Sequence, residues 1–170
     1  SSFKELDAVA NFQPYWAWAD LFITELTMPK LGPKRSRWLY PIGSLFDSGA
    51  VVAFGSDWFV TSGNPLLGIE TAVTRRDPLT NESESFFDEE RISLAAAIAA
   101  YTINGAYVNF LDAETGSIEL NKLADLIILD RNLFDIKPEE ISDAQVLMTM
   151  LDGEPVYGNW DLEPQPKSAL

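Results

Sequence analysis

The chain has 170 residues, 46% hydrophobic and 12% aromatic, with a formal net charge of −14 and neither histidine nor cysteine. That length and apolar content predict one ordinary domain with a substantial core and argue against disorder away from the ends. The acidic balance argues against nucleic acid or an anionic membrane as partner, since both select basic patches, and the missing cysteines exclude disulfides and thiol chemistry.

Ser1-Ser2-Phe3-Lys4-Glu5 does not read as a signal peptide, because no apolar run follows a basic start. No stretch reaches membrane-spanning length, so the chain reads as soluble. Residues 8–12 are expected as a short strand. Residues 16–27 are expected as a short apolar helix, closed by Met28-Pro29 and the turn-rich Leu31-Gly32-Pro33. Residues 37–48 have helical spacing, with Trp38, Leu39, Ile42, Leu45 and Phe46 on one side. Pro41 falls in the first turn, where a missing N–H costs little, and Gly49 takes the C′ position. Residues 51–54 are an all-apolar strand, and residues 64–75 a helix carrying Leu66, Leu67, Ile69, Ala72 and Val73. This alternation predicts parallel strands covered by helices.

Residues 76–90, rich in Asp, Glu, Ser and Asn, are expected as a surface loop. Ser93 is the expected N-cap of an alanine-rich helix over residues 94–111, broken near Asn104-Gly105. From Thr115 the character turns to β. Residues 124–130 read as a strand, and residues 146–151 and 155–157 as a hairpin whose Asp152-Gly153 suits a type I′ turn. Residues 161–170 have two prolines and no periodicity, and are expected as a flexible tail.

In α/β sheets functional groups gather at the carboxyl ends of parallel strands. Asp57 stands there, just after Gly55-Ser56, where a carboxylate would ligate a metal or take a proton from a metal-bound water. Taken alone, an Asp in that setting fits a turn residue or a helix cap better than a catalyst. Tyr15, Trp16, Trp18 and Trp58 follow the expected strands and are candidates for the wall of an apolar substrate pocket, against a plainer reading as core. Arg75-Arg76 are candidates for binding a substrate carboxylate, against simple placement of cations at a helix C-terminus. Asp88-Glu89-Glu90 reads as a solvated charge run rather than a ligand set.

An ordered series of segments bears on function: Arg37-Trp38-Leu39-Tyr40-Pro41, Val52-Ala53-Phe54-Gly55-Ser56-Asp57-Trp58, Asn64-Pro65-Leu66-Leu67-Gly68, Ala100-Tyr101-Thr102-Ile103-Asn104, Ala124-Asp125-Leu126-Ile127-Ile128-Leu129-Asp130 and Asp152-Gly153-Glu154-Pro155. The series resembles the C-terminal part of the amidohydrolase superfamily, in the branch that includes N-substituted formamide deformylases and related metal-dependent hydrolases. The resemblance covers residues 8–158. It implies an α/β fold in which residues 1–111 are the C-terminal portion of a (β/α)8 TIM-type barrel, its last two βα units, and residues 112–160 are the C-terminal strands of a small β-sandwich. Residues 8–14 would be the seventh barrel strand and residues 51–54 the eighth. Asp57 matches the family's acid after the eighth strand, which binds metal and shuttles a proton. The implied activity is hydrolysis of a non-peptide C–N bond of the amide or formamide type in a small-molecule substrate, with a divalent metal, zinc above all, in the full-length parent.

The chain departs from the family in lacking every metal-binding histidine, the His-x-His included. One carboxylate does not replace a cluster of imidazoles, so no metal is expected in this chain alone and the piece is expected to be inactive by itself. Phe59 stands where many relatives have proline and joins Trp16, Trp18 and Trp58 as a candidate pocket residue. An unpaired strand edge and apolar helix faces lead us to expect self-association. The rival reading is a non-catalytic binding or regulatory protein, like the exoenzyme regulators of this branch, that kept the fold and lost the chemistry.

Overall fold

The computed structural model describes residues 2–158 and residue 160, so the expected tail from residue 161 lies outside the described part. The fold is mixed α/β. After a short helix α1 (Ser2–Glu5), strand β1 (Ala10–Phe12) pairs in parallel with β2 (Val52–Phe54), with Ala10 opposite Val52 and Phe12 opposite Phe54. Parallel pairing needs a long crossover, here α2 (Met28–Leu31), α3 (Pro33–Ser36) and α4 (Ile42–Asp47). Helices α5 (Pro65–Thr74), α6 (Leu94–Tyr101) and α7 (Ile103–Val108) follow β2. The chain then forms an antiparallel sheet, β3 (Leu126–Leu129), β4 (Val146–Leu151) and β5 (Glu154–Gly158), with β4 in the centre.

Local chemistry accounts for most boundaries. Helix α4 ends as expected: Gly49 has φ +73, its N–H donates to Phe46 O, and the Ala50 N–H reaches back to Leu45 O, a Schellman arrangement. Asn64 and Ser93 cap α5 and α6 through their side chains, accepting from the N–H groups of Leu66 and Ala96. In the β4–β5 hairpin Asp152 and Gly153 both have positive φ, as a type I′ turn requires.

Three helix boundaries differ from expectation. Past the 3-10 turn at Pro14–Trp16, the segment over residues 16–27 turns helical only at Leu21, where the Asp20 carboxylate caps it, accepting from the Ile23 N–H at 2.7 Å. It then runs as a π-helix over Phe22–Thr27 and continues through Pro29 into α2. The wider turn gives room to a proline ring that in an α-helix would meet the carbonyl four residues earlier. Helix α4 starts at Ile42 rather than at residue 37, because a residue before proline is pushed out of the α region, and Tyr40 takes φ +52. The break in the alanine-rich helix falls at Thr102 (φ −117, ψ −95), not at Asn104-Gly105. The Thr102 hydroxyl donates to Ile98 O at 2.8 Å, a back-bond that bends helices, while Gly105 sits inside α7.

One hydrophobic cluster unites Ala10, Val52 and Phe54 of the parallel pair with Ile42, Leu66, Ile69, Ala97 and Ala100 of the helices. Leu133, Ile141 and Ala144, from the connection between β3 and β4, belong to it as well. No helix among the described residues is long and apolar enough to cross a membrane.

Candidate functional site

Because β1 and β2 are parallel, the segments that follow them emerge on the same side. After β1 the chain makes a short 3-10 turn at Pro14–Trp16. After β2 the Gly55 N–H donates to Phe12 O at 3.0 Å, and the chain leaves the sheet through Gly55-Ser56 to Asp57. Asp57 takes a left-handed backbone (φ +55), a conformation that Asp adopts more readily than most side chains. Its side chain is exposed, and no hydrogen bond to it is seen among the described residues.

The turn around Asp57 is closed by its own polar groups. The Val60 N–H donates to Asp57 O at 2.8 Å, the Trp58 N–H donates to Ser56 Oγ at 3.2 Å, and the Thr61 hydroxyl donates to Ser56 O. The Trp58–Phe59 peptide is cis. Both rings point outward, 74% and 83% exposed, and meet edge to face at 6.2 Å.

A concavity of about 700 Å³ lies beside this turn, lined by Trp16 and Trp18 from the first loop and Phe59 and Val60 from the second, with Asp20 at its wall. Trp16, Trp18 and Phe59 are thus brought together. Trp58 and Asp57 do not line the concavity; Trp58 instead lies against Gly63, where an added Cβ would sit 3.3 Å from its ring. A larger apolar concavity, about 1070 Å³, opens between α6–α7 and the β3–β4 sheet, and Asp57 does not line it.

Two charged groups named in the sequence turn out to be structural. Arg75 is fully buried, donating to Phe86 O at 2.8 Å and Tyr40 O at 3.0 Å, and its guanidinium lies 5.5 Å from the Phe86 ring centre. Burial lowers its pKa, and it is closed to any substrate carboxylate. Within the acidic run, Glu90 is buried and accepts from the Ser44 N–H at 2.8 Å and the Ser44 hydroxyl at 2.5 Å. The run is therefore solvated only at Asp88 and Glu89, which pair with Arg91 and Arg37.

Sequence reading missed the residues that hold β2. Asn104 Nδ2 donates to Val52 O at 2.8 Å, and the Tyr101 hydroxyl, whose pKa burial raises, lies 3.5 Å from Gly55 O. The signal available was a polar amide just after an alanine-rich helix, which says nothing of what it reaches. Among the described residues no group of three or more metal-ligating side chains is placed to hold an ion. The donors present do not fit a divalent metal by themselves.

The amidohydrolase family profile matches residues 1–157. The chain is 38% identical over 156 residues to Protein LONG AFTER FAR-RED 3 of Arabidopsis thaliana, covering 91% of this chain and 26% of that protein. It is 32% identical over 148 residues to N-substituted formamide deformylase of Arthrobacter pascens, covering 87% of this chain and again 26% of the relative. This chain thus spans about a quarter of the length of the curated relatives it matches. Among solved structures, an uncharacterized metal-dependent hydrolase from Pyrococcus horikoshii OT3 superposes with a TM-score of 0.64 at 25% identity, over 79% of this chain and 26% of that one. A second, from Pyrococcus furiosus, gives 0.58 at 27% identity, over 76% and 25%. The chain belongs to the amidohydrolase family.

Proposed function

We propose that this chain is the C-terminal part of a metal-dependent hydrolase acting on non-peptide C–N bonds of the amide or formamide type in small molecules. The observation that carries the reading is the position of Asp57, directly beyond the end of a parallel strand and beside an aromatic concavity. Similarity to an N-substituted formamide deformylase supports the bond class. In this reading residues 1–111 are the end of a (β/α)8 barrel, with β1 and β2 as its seventh and eighth strands, and residues 112–160 are a share of a β-sandwich. Asp57 accepts a proton from the attacking water as the C–O bond forms. It returns that proton to the departing nitrogen as the C–N bond breaks, leaving a carboxylic acid and an amine. Trp16, Trp18 and Phe59, which share the concavity, supply apolar surface for the substrate's N-substituent; Trp58 lies outside it. Solved relatives described as metal-dependent hydrolases support a divalent metal in the family. Zinc is our choice for the parent, held by imidazoles outside this chain with Asp57 as a carboxylate ligand.

A second reading, a binding or regulatory protein on the same fold, is favoured by one observation. The Arabidopsis relative, at 38% identity, carries a name that describes no reaction. Reading the coding sequence ahead of Ser1 separates the two. A continuous frame supplying His-x-His and two later histidines, with amine released from N-butylformamide by its product, supports the hydrolase. Upstream strands without histidines, and no amine released, support the binding protein.

A further inference from the structure

We infer that Asn104 is a positioning residue for Asp57, with Tyr101 as a second prop; the inference rests on the hydrolase reading above. In a strand, alternate residues turn their peptide groups to opposite edges. Val51 and Gly55 face β1, accepting from the Ala10 N–H at 2.9 Å and donating to Phe12 O at 3.0 Å. The Val52 carbonyl therefore points to the other edge, and Asn104 Nδ2 meets it there at 2.8 Å. Asn104 sits in the first turn of α7, directly after the break at Thr102, so the kink is what brings the amide to the strand.

Tyr101, on the last turn of α6, acts at the other end of β2. Its ring meets Phe54 edge to face at 5.4 Å, and its hydroxyl lies 3.5 Å from Gly55 O, two residues before Asp57. That separation is long for an O–H···O bond, so packing is the larger part of its contribution. The room for it comes from Gly68, where any Cβ would collide with the hydroxyl. β2 is thus held from α7 at its first residue and from α6 at its end, and the exposed turn that carries Asp57 starts from that anchored strand.

The test uses the full-length protein in three variants: Asn104→Asp, which keeps the shape and loses the donor, Tyr101→Phe, and Asp57→Asn as reference. Hydrogen exchange of the Gly55 amide, with β4–β5 hairpin amides as internal control, reads the placement without reference to activity. For Asn104→Asp we expect Gly55 to exchange roughly 10-fold faster with the hairpin unchanged. For the same variant, kcat for N-butylformamide should fall about 10-fold and KM move by less than about 2-fold. Tyr101→Phe should show the same pattern at about 2- to 3-fold. Unchanged Gly55 exchange in Asn104→Asp overturns the placement. A kcat that stays at the wild-type value, where Asp57→Asn has lost activity, overturns its catalytic meaning. An Asp57→Asn protein that keeps full activity instead overturns the hydrolase reading itself, whatever Gly55 exchange shows.

Discussion

The carboxylate of Glu70, in the middle of α5, accepts a 2.7 Å hydrogen bond from the backbone N–H of Ser142, seventy-two residues further along the chain. Glu70 is 0% exposed and also accepts from Asn81 Nδ2 at 3.0 Å. This one side chain ties the helical layer to the connection between β3 and β4, where Ile141 and Ala144 enter the common core. Replacing it by alanine leaves the part-buried Ser142 N–H without its acceptor and Asn81 Nδ2 with Glu139 O alone. Glu70→Ala should cost about 2–3 kcal/mol in urea unfolding, with both sheets melting in a single transition. A change no larger than the error of the measurement would show that the bond carries no weight.

Gly68 and Tyr101 make a second pair whose coupling is measurable. A Cβ at Gly68 would strike the Tyr101 hydroxyl and come within 3.2 Å of Pro14 Cγ. Gly68→Ala should destabilise by about 1–3 kcal/mol, as overpacking does. In a Tyr101→Phe background the cost should drop, since the closest atom is gone. Equal costs in the two backgrounds would place the strain elsewhere.

Tyr101 also predicts an alkaline signature. Burial raises the pKa of its hydroxyl above the ordinary value of 10.0. A group whose folded pKa is raised contributes stability that is fully present below the unfolded pKa and is lost as pH rises through the folded one. Thermal stability should therefore fall as pH rises past about 10. The fall should be shallower in Tyr101→Phe, read as the difference in Tm between the proteins from pH 8 upward. Parallel curves would contradict it.

The strands and caps were legible because their causes are local. The apolar run before Gly55, the capping side chain of Ser93 and the Asp152-Gly153 turn each act within a few residues. The family was legible in the order of several such segments. What escaped depends on distant partners. Arg75 and Arg76 look alike in sequence, yet the Tyr40 and Phe86 carbonyls bury the first and leave the second at the surface, 3.8 Å from Glu139. Glu90 looks like Glu89 until Ser44 is brought to it. Asn104 reads as a helix breaker, and only the fold shows it reaching Val52. At the site, Trp16, Trp18 and Phe59 do share one concavity, while Trp58, adjacent in sequence to Phe59, turns away from it.

The far edge of β1, which no strand pairs among the described residues and where Asn11 is exposed, and the exposed rings around the site predict behaviour of this chain by itself. Leu21, Phe22, Trp58 and Phe59 are each more than 70% exposed on the described surface. Apolar surface of this kind beside an open strand edge promotes association. Light scattering on the 170-residue chain should give a mass that rises with concentration above that of a monomer. A constant monomer mass across the range would contradict it.

If Asp57 supplies a reacting carboxylate, as proposed, then Asp57→Asn in the full-length protein, assayed for amine release from N-butylformamide, must lose activity. The substitution keeps the side chain's shape and the left-handed backbone, which asparagine also tolerates. We expect kcat lower by at least about 100-fold, with Tm essentially unchanged because the side chain is exposed. A variant that hydrolyses the formamide within about 2-fold of the wild-type rate would contradict it.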